Sequence, residues 1–192
     1  MSAWLVVGLG NPGDRYADTR HNIGTMVVSR LAERLGVRLR KTRFLPAESA
    51  DARAGDDRLW LLRPLTYMNV SGPPVASFAR RHRIEPERVV VCHDELDLPF
   101  GAIKLKLGGS TAGHRGLASL ATALRSPGFH RVRLGIGRPP GRQDPADFVL
   151  RRFSAAERDG VPVLVENAAD AVVTLVNEGL AVAQDRHNRS GP

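Results

Sequence analysis

Apolar and polar positions follow two periods along this chain, and the switches between them mark its elements. Leu5-Val6-Val7 is a short apolar run with β-branched residues, which suits a buried strand. Gly8, Gly10, Pro12 and Gly13 then force a turn. From Asn22 to Leu35 the stripe Ile23, Met26, Val27, Leu31 and Leu35 has helical spacing, and Gly36 stops it. Residues 46–52 and 58–63 read as two antiparallel strands joined by a tight turn at Ala54-Gly55-Asp56-Asp57. Pro64 to Val70 forms a loop leading out of that second strand. Ser71 is the expected N-cap of the next helix, with Pro73 and Pro74 in its first turn and Val75, Phe78 and Ala79 facing inward.

Arg88 to Cys92 reads as a central strand, with His93 to Pro99 as the loop at its carboxyl end. Over 102–107, Ile103, Leu105 and Leu107 occupy one face and Lys104 and Lys106 the other. A flexible glycine loop, Gly108 to Gly116, precedes a helix carrying Leu117, Leu120 and Leu124. Over 130–137, Val132, Leu134 and Ile136 oppose Arg131 and Arg133. Residues 138–147, rich in Pro, Gly and Asp, read as a mobile surface loop. Ser154-x-x-Glu157 is a capping box. Leu164, Val165, Ala168, Val172, Leu175 and Val176 then stripe a long helix closed by Gly179, followed by a short helix and a polar tail. Strands alternating with helices, interrupted by one hairpin, predict an α/β fold. The expected form is a single domain over 1–192, with a twisted mixed β-sheet, helices on both faces and 183–192 as a flexible tail.

Composition narrows the class without deciding it. A hydrophobic fraction of 42% and a charged fraction of 25% are ordinary globular values. No apolar run approaches the roughly 20 residues of a membrane helix, and no basic flank with a long apolar core suggests a secretory signal. Cys92, the only cysteine, follows Val89-Val90-Val91, which predicts a buried reduced thiol rather than a disulfide or a zinc ligand. The net charge of +8 asks for an acidic partner, nucleic acid first, although all the basic residues except Lys41, Lys104 and Lys106 are Arg, a bias that coding alone can produce.

Position adds more than charge does. Gly8-x-Gly10-x-x-Gly13 matches a dinucleotide-binding fingerprint, but that fingerprint requires a helix opening at the glycines. Here the helical pattern starts at Ile23, and the next strand-like segments lack the acidic residue that would hold a ribose, Val37-Arg38-Leu39-Arg40-Lys41 being basic. This leaves a dinucleotide-dependent oxidoreductase as the third reading, behind a hydrolase and an RNA-binding relative. Asn11, His21, Asn69 and Asp94 all fall in loops at strand ends. A His and an Asp so placed can act as a base and its orienting carboxylate. The carboxylate fixes the imidazole tautomer, and the other nitrogen takes a proton from the attacking group. No serine or cysteine accompanies them, so the nucleophile would be water, with an asparagine amide polarising a carbonyl oxygen. The spacing permits this pair; a capping His21 and a solvated acidic loop at Asp94 satisfy the same residues. His93 and His114 have no evident partner and read as structural, and Tyr67 and Met68 as packing. If the strands carrying Lys104, Lys106, Arg131 and Arg133 are neighbours, their polar faces form one cationic strip for phosphates; an ordinary solvated sheet edge is the alternative.

With these residues assembled, the chain resembles the bacterial-type peptidyl-tRNA hydrolases. The matching stretches are Val-Val-Gly-Leu-Gly-Asn-Pro-Gly at 6–13, Tyr-Ala-Asp-Thr-Arg-His-Asn-Ile-Gly at 16–24, Pro-Leu-Thr-Tyr-Met-Asn-Val-Ser-Gly at 64–72, His-Asp-Glu-Leu-Asp-Leu-Pro at 93–99, Gly-x-Ile-Lys-Leu-Lys-Leu-Gly-Gly at 101–109, Gly-His-x-Gly-Leu at 113–117 and Phe-x-Arg-Val-Arg-Leu-Gly-Ile-Gly-Arg-Pro at 129–139. The resemblance implies a cytoplasmic, monomeric, metal-free and cofactor-free esterase that frees a stalled peptide from the 3′ end of its tRNA. It implies His21 as base, Asp94 as its support, and Asn11 as the group favouring blocked over free aminoacyl-tRNA. It further implies that Tyr16, Tyr67, Met68 and Asn69 line the cleft and that Lys104, Lys106 and Arg133 meet tRNA phosphates. The family pattern reads Gly-His-Asn-Gly where this chain has Gly113-His114-Arg115-Gly116, and Asp185 stands where an asparagine is usual. Arg115 exchanges a neutral amide for a long cation in the substrate cleft. Two expectations follow from that exchange: an active but slowed hydrolase, or an RNA-binding relative with little turnover.

Overall fold

A computed structural model describes residues 3–188. In chain order it contains β1 (Ala3–Gly8), α1 (Ile23–Arg34), β2 (Arg40–Lys41), β3 (Ala47–Ala54), β4 (Asp57–Pro64), α2 (Gly72–Arg81), β5 (Val89–Glu95), β6 (Ile103–Leu107), α3 (Arg115–Leu124), β7 (His130–Gly135), α4 (Pro145–Val149), α5 (Ala155–Arg158), α6 (Gly160–Glu178) and α7 (Leu180–His187). The strands form one mixed sheet in the order β2-β3-β4-β1-β5-β7-β6. Its centre, β4-β1-β5-β7, is parallel; β2 and β3 on one flank and β6 on the other pair antiparallel.

Helices on both faces explain why β1 and β5 read as unbroken apolar runs, since a parallel strand covered twice has no wet side. Val6, Cys92 and Leu134 pack beneath Val27 and Leu31 of α1 and Leu164 and Val172 of α6. Leu5, Val7 and Val91 point the other way, under Phe78 of α2 and Leu117 and Leu120 of α3. The long stripe of α6 is buried as its spacing predicts, and Gly179 ends the helix at φ +88°. Cys92 is fully buried, and burial pushes its thiol up to about 12, so it is an inert core residue.

One packing detail brings the chain's first turn close to β5. A Cβ added at Gly24 would lie 2.1 Å from the Cys92 carbonyl oxygen, and one at Gly8 would lie 2.4 Å from the Gly24 oxygen. α1 therefore enters directly against two strand backbones, and its approach turn, a 3-10 turn over Arg20–Asn22, sits at their carboxyl ends.

Several expectations need correction. β5 does not stop at Cys92 but continues through His93 and Asp94 to Glu95, because β7 pairs with it over that length. Ser71 has helical backbone angles and makes no capping bond; its hydroxyl instead donates to the Tyr67 carbonyl. Leu107, at the end of an edge strand, is 48% exposed although Ile103 and Leu105 are buried. The stretch 138–147 is helical from Pro145, with the Asp144 side chain accepting from Ala146 N. The tail is fastened at its start: α7 covers 183–187, the Asn188 side chain accepts from Leu105 N, and Gln184 donates to Leu105 O. Residues 189–192 lie outside the described residues. Among the described residues, no helix is long and apolar enough to cross a membrane.

Candidate active site

The glycine turn after β1 delivers Asn11, and its position is clamped from both sides. Asn11 N donates to Asn22 Oδ1 and Asn22 Nδ2 returns a bond to Asn11 O, both at 2.9 Å. Asn11 Oδ1 accepts from Met68 N at 2.7 Å, which ties the turn to the loop after β4. That bond fixes the amide orientation and leaves the Asn11 Nδ2 protons without an acceptor among the described residues.

His21 and Asp94, far apart in sequence, meet at the carboxyl ends of β1 and β5. His21 Nδ1 lies 2.9 Å from each Asp94 carboxylate oxygen. His114, the N-cap of α3, joins them: its Nε2 is 2.9 Å from Asp94 Oδ1. The tautomers follow from the partners. Leu117 N donates to His114 Nδ1, so the proton of neutral His114 is on Nε2, facing the carboxylate. His21 likewise gives its Nδ1 proton to Asp94 and keeps a lone pair on Nε2. The carboxylate side chain is 2% exposed, against 13% for His21 and 10% for His114. Burial alone would raise the Asp94 carboxyl, but the two imidazoles outweigh it and hold it below the usual carboxylate range, so it stays ionised. His93 donates from Nδ1 to the Asp94 carbonyl at 2.8 Å, and burial pushes its imidazole down to about 3.

These groups form the floor of a cleft of about 630 Å³. One wall carries Tyr16 and Tyr67, packed edge to face at 88°, with Met68 and Asn69. The glycine loop and Arg115 form another, and Pro145, Val149 and Leu150 a third. His114, which reads as structural in the sequence, is instead the second imidazole on Asp94. Its place at a helix start beside a glycine loop is the signal that could have found it. The α4 wall has no such signal beyond an Asp-Pro helix opening.

The family model for peptidyl-tRNA hydrolase matches residues 5–191 of this chain. The chain is 54% identical to peptidyl-tRNA hydrolase of Frankia alni, with 96% of this chain and 93% of that protein covered. It is also 54% identical to the Nocardia farcinica protein of the same name, over 95% and 94%. The crystal structure of peptidyl-tRNA hydrolase from Acinetobacter baumannii superimposes with a TM-score of 0.92 at 36% identity, covering 99% of this chain and 96% of that one. The chain belongs to the peptidyl-tRNA hydrolase family.

In this family member the cationic strip is smaller than the alternation suggested. Register sets Lys104 opposite Arg133 and Lys106 opposite Arg131. Arg131, however, is only 1% exposed and donates to the Ser110 and Gly109 carbonyls at 2.6 and 2.7 Å, holding the glycine loop. Lys104, Lys106 and Arg133 remain, with Arg133 also bonded to Glu95 at 3.1 Å.

The residues of the glycine turn do not suit a dinucleotide. Added Cβ atoms at Gly8 and Gly10 would strike α1 and Asn22, so these glycines serve helix packing. His21, Asp94 and His114 are the one His/Asp group among the described residues whose donor atoms converge within 4.8 Å. Both imidazoles lie within hydrogen-bond distance of the shared carboxylate.

Proposed function

We propose that this chain hydrolyses the ester between a peptide, or an N-blocked amino acid, and the 3′ end of tRNA, with water activated by His21. Supporting this most directly, His21 spends Nδ1 on a buried carboxylate and is left with a basic Nε2 beside a cleft. The Nε2 lone pair takes a proton from water as the oxygen attacks the ester carbonyl, and Asp94 stabilises the imidazolium that forms. The Asn11 Nδ2 protons are free to donate to the developing oxyanion. On collapse, the C–O bond to the ribose breaks and the imidazolium returns its proton to the leaving 3′ oxygen, yielding a free peptide and a free tRNA. Tyr16, Tyr67, Met68 and Asn69 hold the peptide and the terminal nucleotide. Lys104, Lys106 and Arg133 hold backbone phosphates, which suits an enzyme that must accept every tRNA. The chain acts as a cytoplasmic monomer and needs no metal.

Arg115 favours a second reading, an RNA-binding relative with weakened turnover, because a cation here replaces an amide. Release of the blocked amino acid from N-acetylaminoacyl-tRNA separates the two. The wild type should exceed the spontaneous rate, His21→Ala should lose roughly a thousandfold or more, and Arg115→Asn should gain a few-fold. Wild-type turnover no faster than spontaneous would leave only the binding reading.

A further inference from the structure

Arg20 shares the 3-10 turn of His21, but its side chain runs away from the cleft and is buried, with 5% of the residue exposed. It grips one segment, 148–157, almost completely. Nη1 donates to the carbonyls of Phe148, Arg151 and Arg152 at 3.5, 3.4 and 2.9 Å, and Nη2 to Glu157 Oε2 at 2.6 Å. The guanidinium also lies 4.1 Å over the Phe148 ring and 5.5 Å from that of Phe153. The backbone adds an Arg20 N to Arg151 O bond and an antiparallel bridge between Thr19 and Arg152.

What this segment carries matters. α4 has five residues, too few to be stable alone, and its Phe148 carbonyl accepts from the backbone of Leu150 and Arg151 just beyond the helix. Arg20 adds a side-chain bond to that carbonyl and holds the Arg151 and Arg152 carbonyls that follow the helix, and α4 with Leu150 forms the third wall of the cleft. Glu157, the other end of the grip, is already held by its capping box to Ser154 N. A single residue thus joins the base-bearing turn to the wall that faces it.

We propose that Arg20 is a positioning residue that sets the α4 wall against His21 and thereby sets substrate affinity; the proposal rests on the hydrolase reading above. The His21 ring is held by Asp94 of β5, which His114 at the start of α3 also bonds, and not by this grip, so Arg20 governs the fit of substrate and leaves the chemical step alone. Lysine cannot replace it, because a point ammonium reaches fewer carbonyls and has no plane to lay on Phe148.

The test is steady-state cleavage of N-acetylaminoacyl-tRNA by Arg20→Lys and Phe148→Leu, well below each melting temperature. For Arg20→Lys, KM rises roughly tenfold while kcat stays within about twofold and the pH dependence of kcat is unchanged. A lower melting temperature with wild-type KM would overturn the proposal, since the grip would then be a fold anchor only. A fallen kcat with a displaced pH profile would overturn it too, by placing Arg20 on the chemical step. If Arg20→Lys does not fold, Phe148→Leu decides: a KM raised about threefold supports the role, and wild-type KM refutes it. Absence of turnover in the wild type would instead refute the hydrolase reading itself.

Discussion

The two ends of the proposed substrate meet surfaces of opposite construction. At the reacting end, one carboxylate, 2% exposed, is held by two imidazoles at 2.9 Å, and each imidazole has its tautomer set by a further bond or by that carboxylate. At the cationic flank, Lys104 is exposed on the edge strand β6 with Lys106, and Arg133 lies beside them on β7, bonded to Glu95, with no comparable cage. Proton transfer needs a lone pair aimed within tenths of an ångström, so it is built in a dry place from groups that fix one another. Phosphate binding needs charge at the right distance and tolerates motion, so it is left in water, where salt can weaken it.

The largest expected effect lies at the fixed end. Asp94→Asn keeps the shape but lets the His21 tautomer reverse, and turnover should fall about a thousandfold with little change in KM. A tenfold loss or less would erase the contrast between the two ends.

Lys104→Ala with Lys106→Ala tests the loose end. KM should rise about tenfold at low salt with kcat unchanged, and the slope of log KM against log salt should flatten by about one for each phosphate that is no longer neutralised. An unchanged salt slope would return the strip to an ordinary sheet edge.

The smallest effect concerns stability beneath the site. His93 titrates near 3 when folded but near 6.5 when unfolded, so between those values the unfolded chain binds the extra proton. Its contribution is therefore present above about 6.5 and is lost as pH falls toward 3. His130 and His82, also lowered by burial, act in the same direction. Thermal unfolding of His93→Gln should show a shallower acid decline than the wild type, by about one proton. Equal slopes would mean that the buried ring does not stay neutral. Asp94 acts at more acid pH, since its lowered carboxyl is protonated only below the usual carboxylate range.

Local pattern was enough wherever burial obeyed a period. β1, the α1 and α6 stripes and the Ser154–Glu157 capping box stand where their residues place them. His21 and Asp94 were legible as candidates because a glycine turn and a strand end are both local features. Their meeting was permitted by that placement, and only the resemblance singled it out. His114 escaped because its partner arrives across a glycine loop that has no period. Arg131 and Arg133 alternate identically in sequence, yet a loop folds over only the first. Arg20 gives no signal either, since the carbonyls it binds lie well over a hundred residues further on.

The bare α-carbons at positions 8 and 24 have a consequence for evolution and for engineering. Helix and sheet there touch main chain to main chain, so no rotamer can adjust to absorb an intruding methyl group. Gly24→Ala would wedge the helix outward and carry the imidazole with it, detuning the proton donor–acceptor gap from a place that no substrate ever reaches. The reach of the proposed base is thus gauged by atoms that are missing.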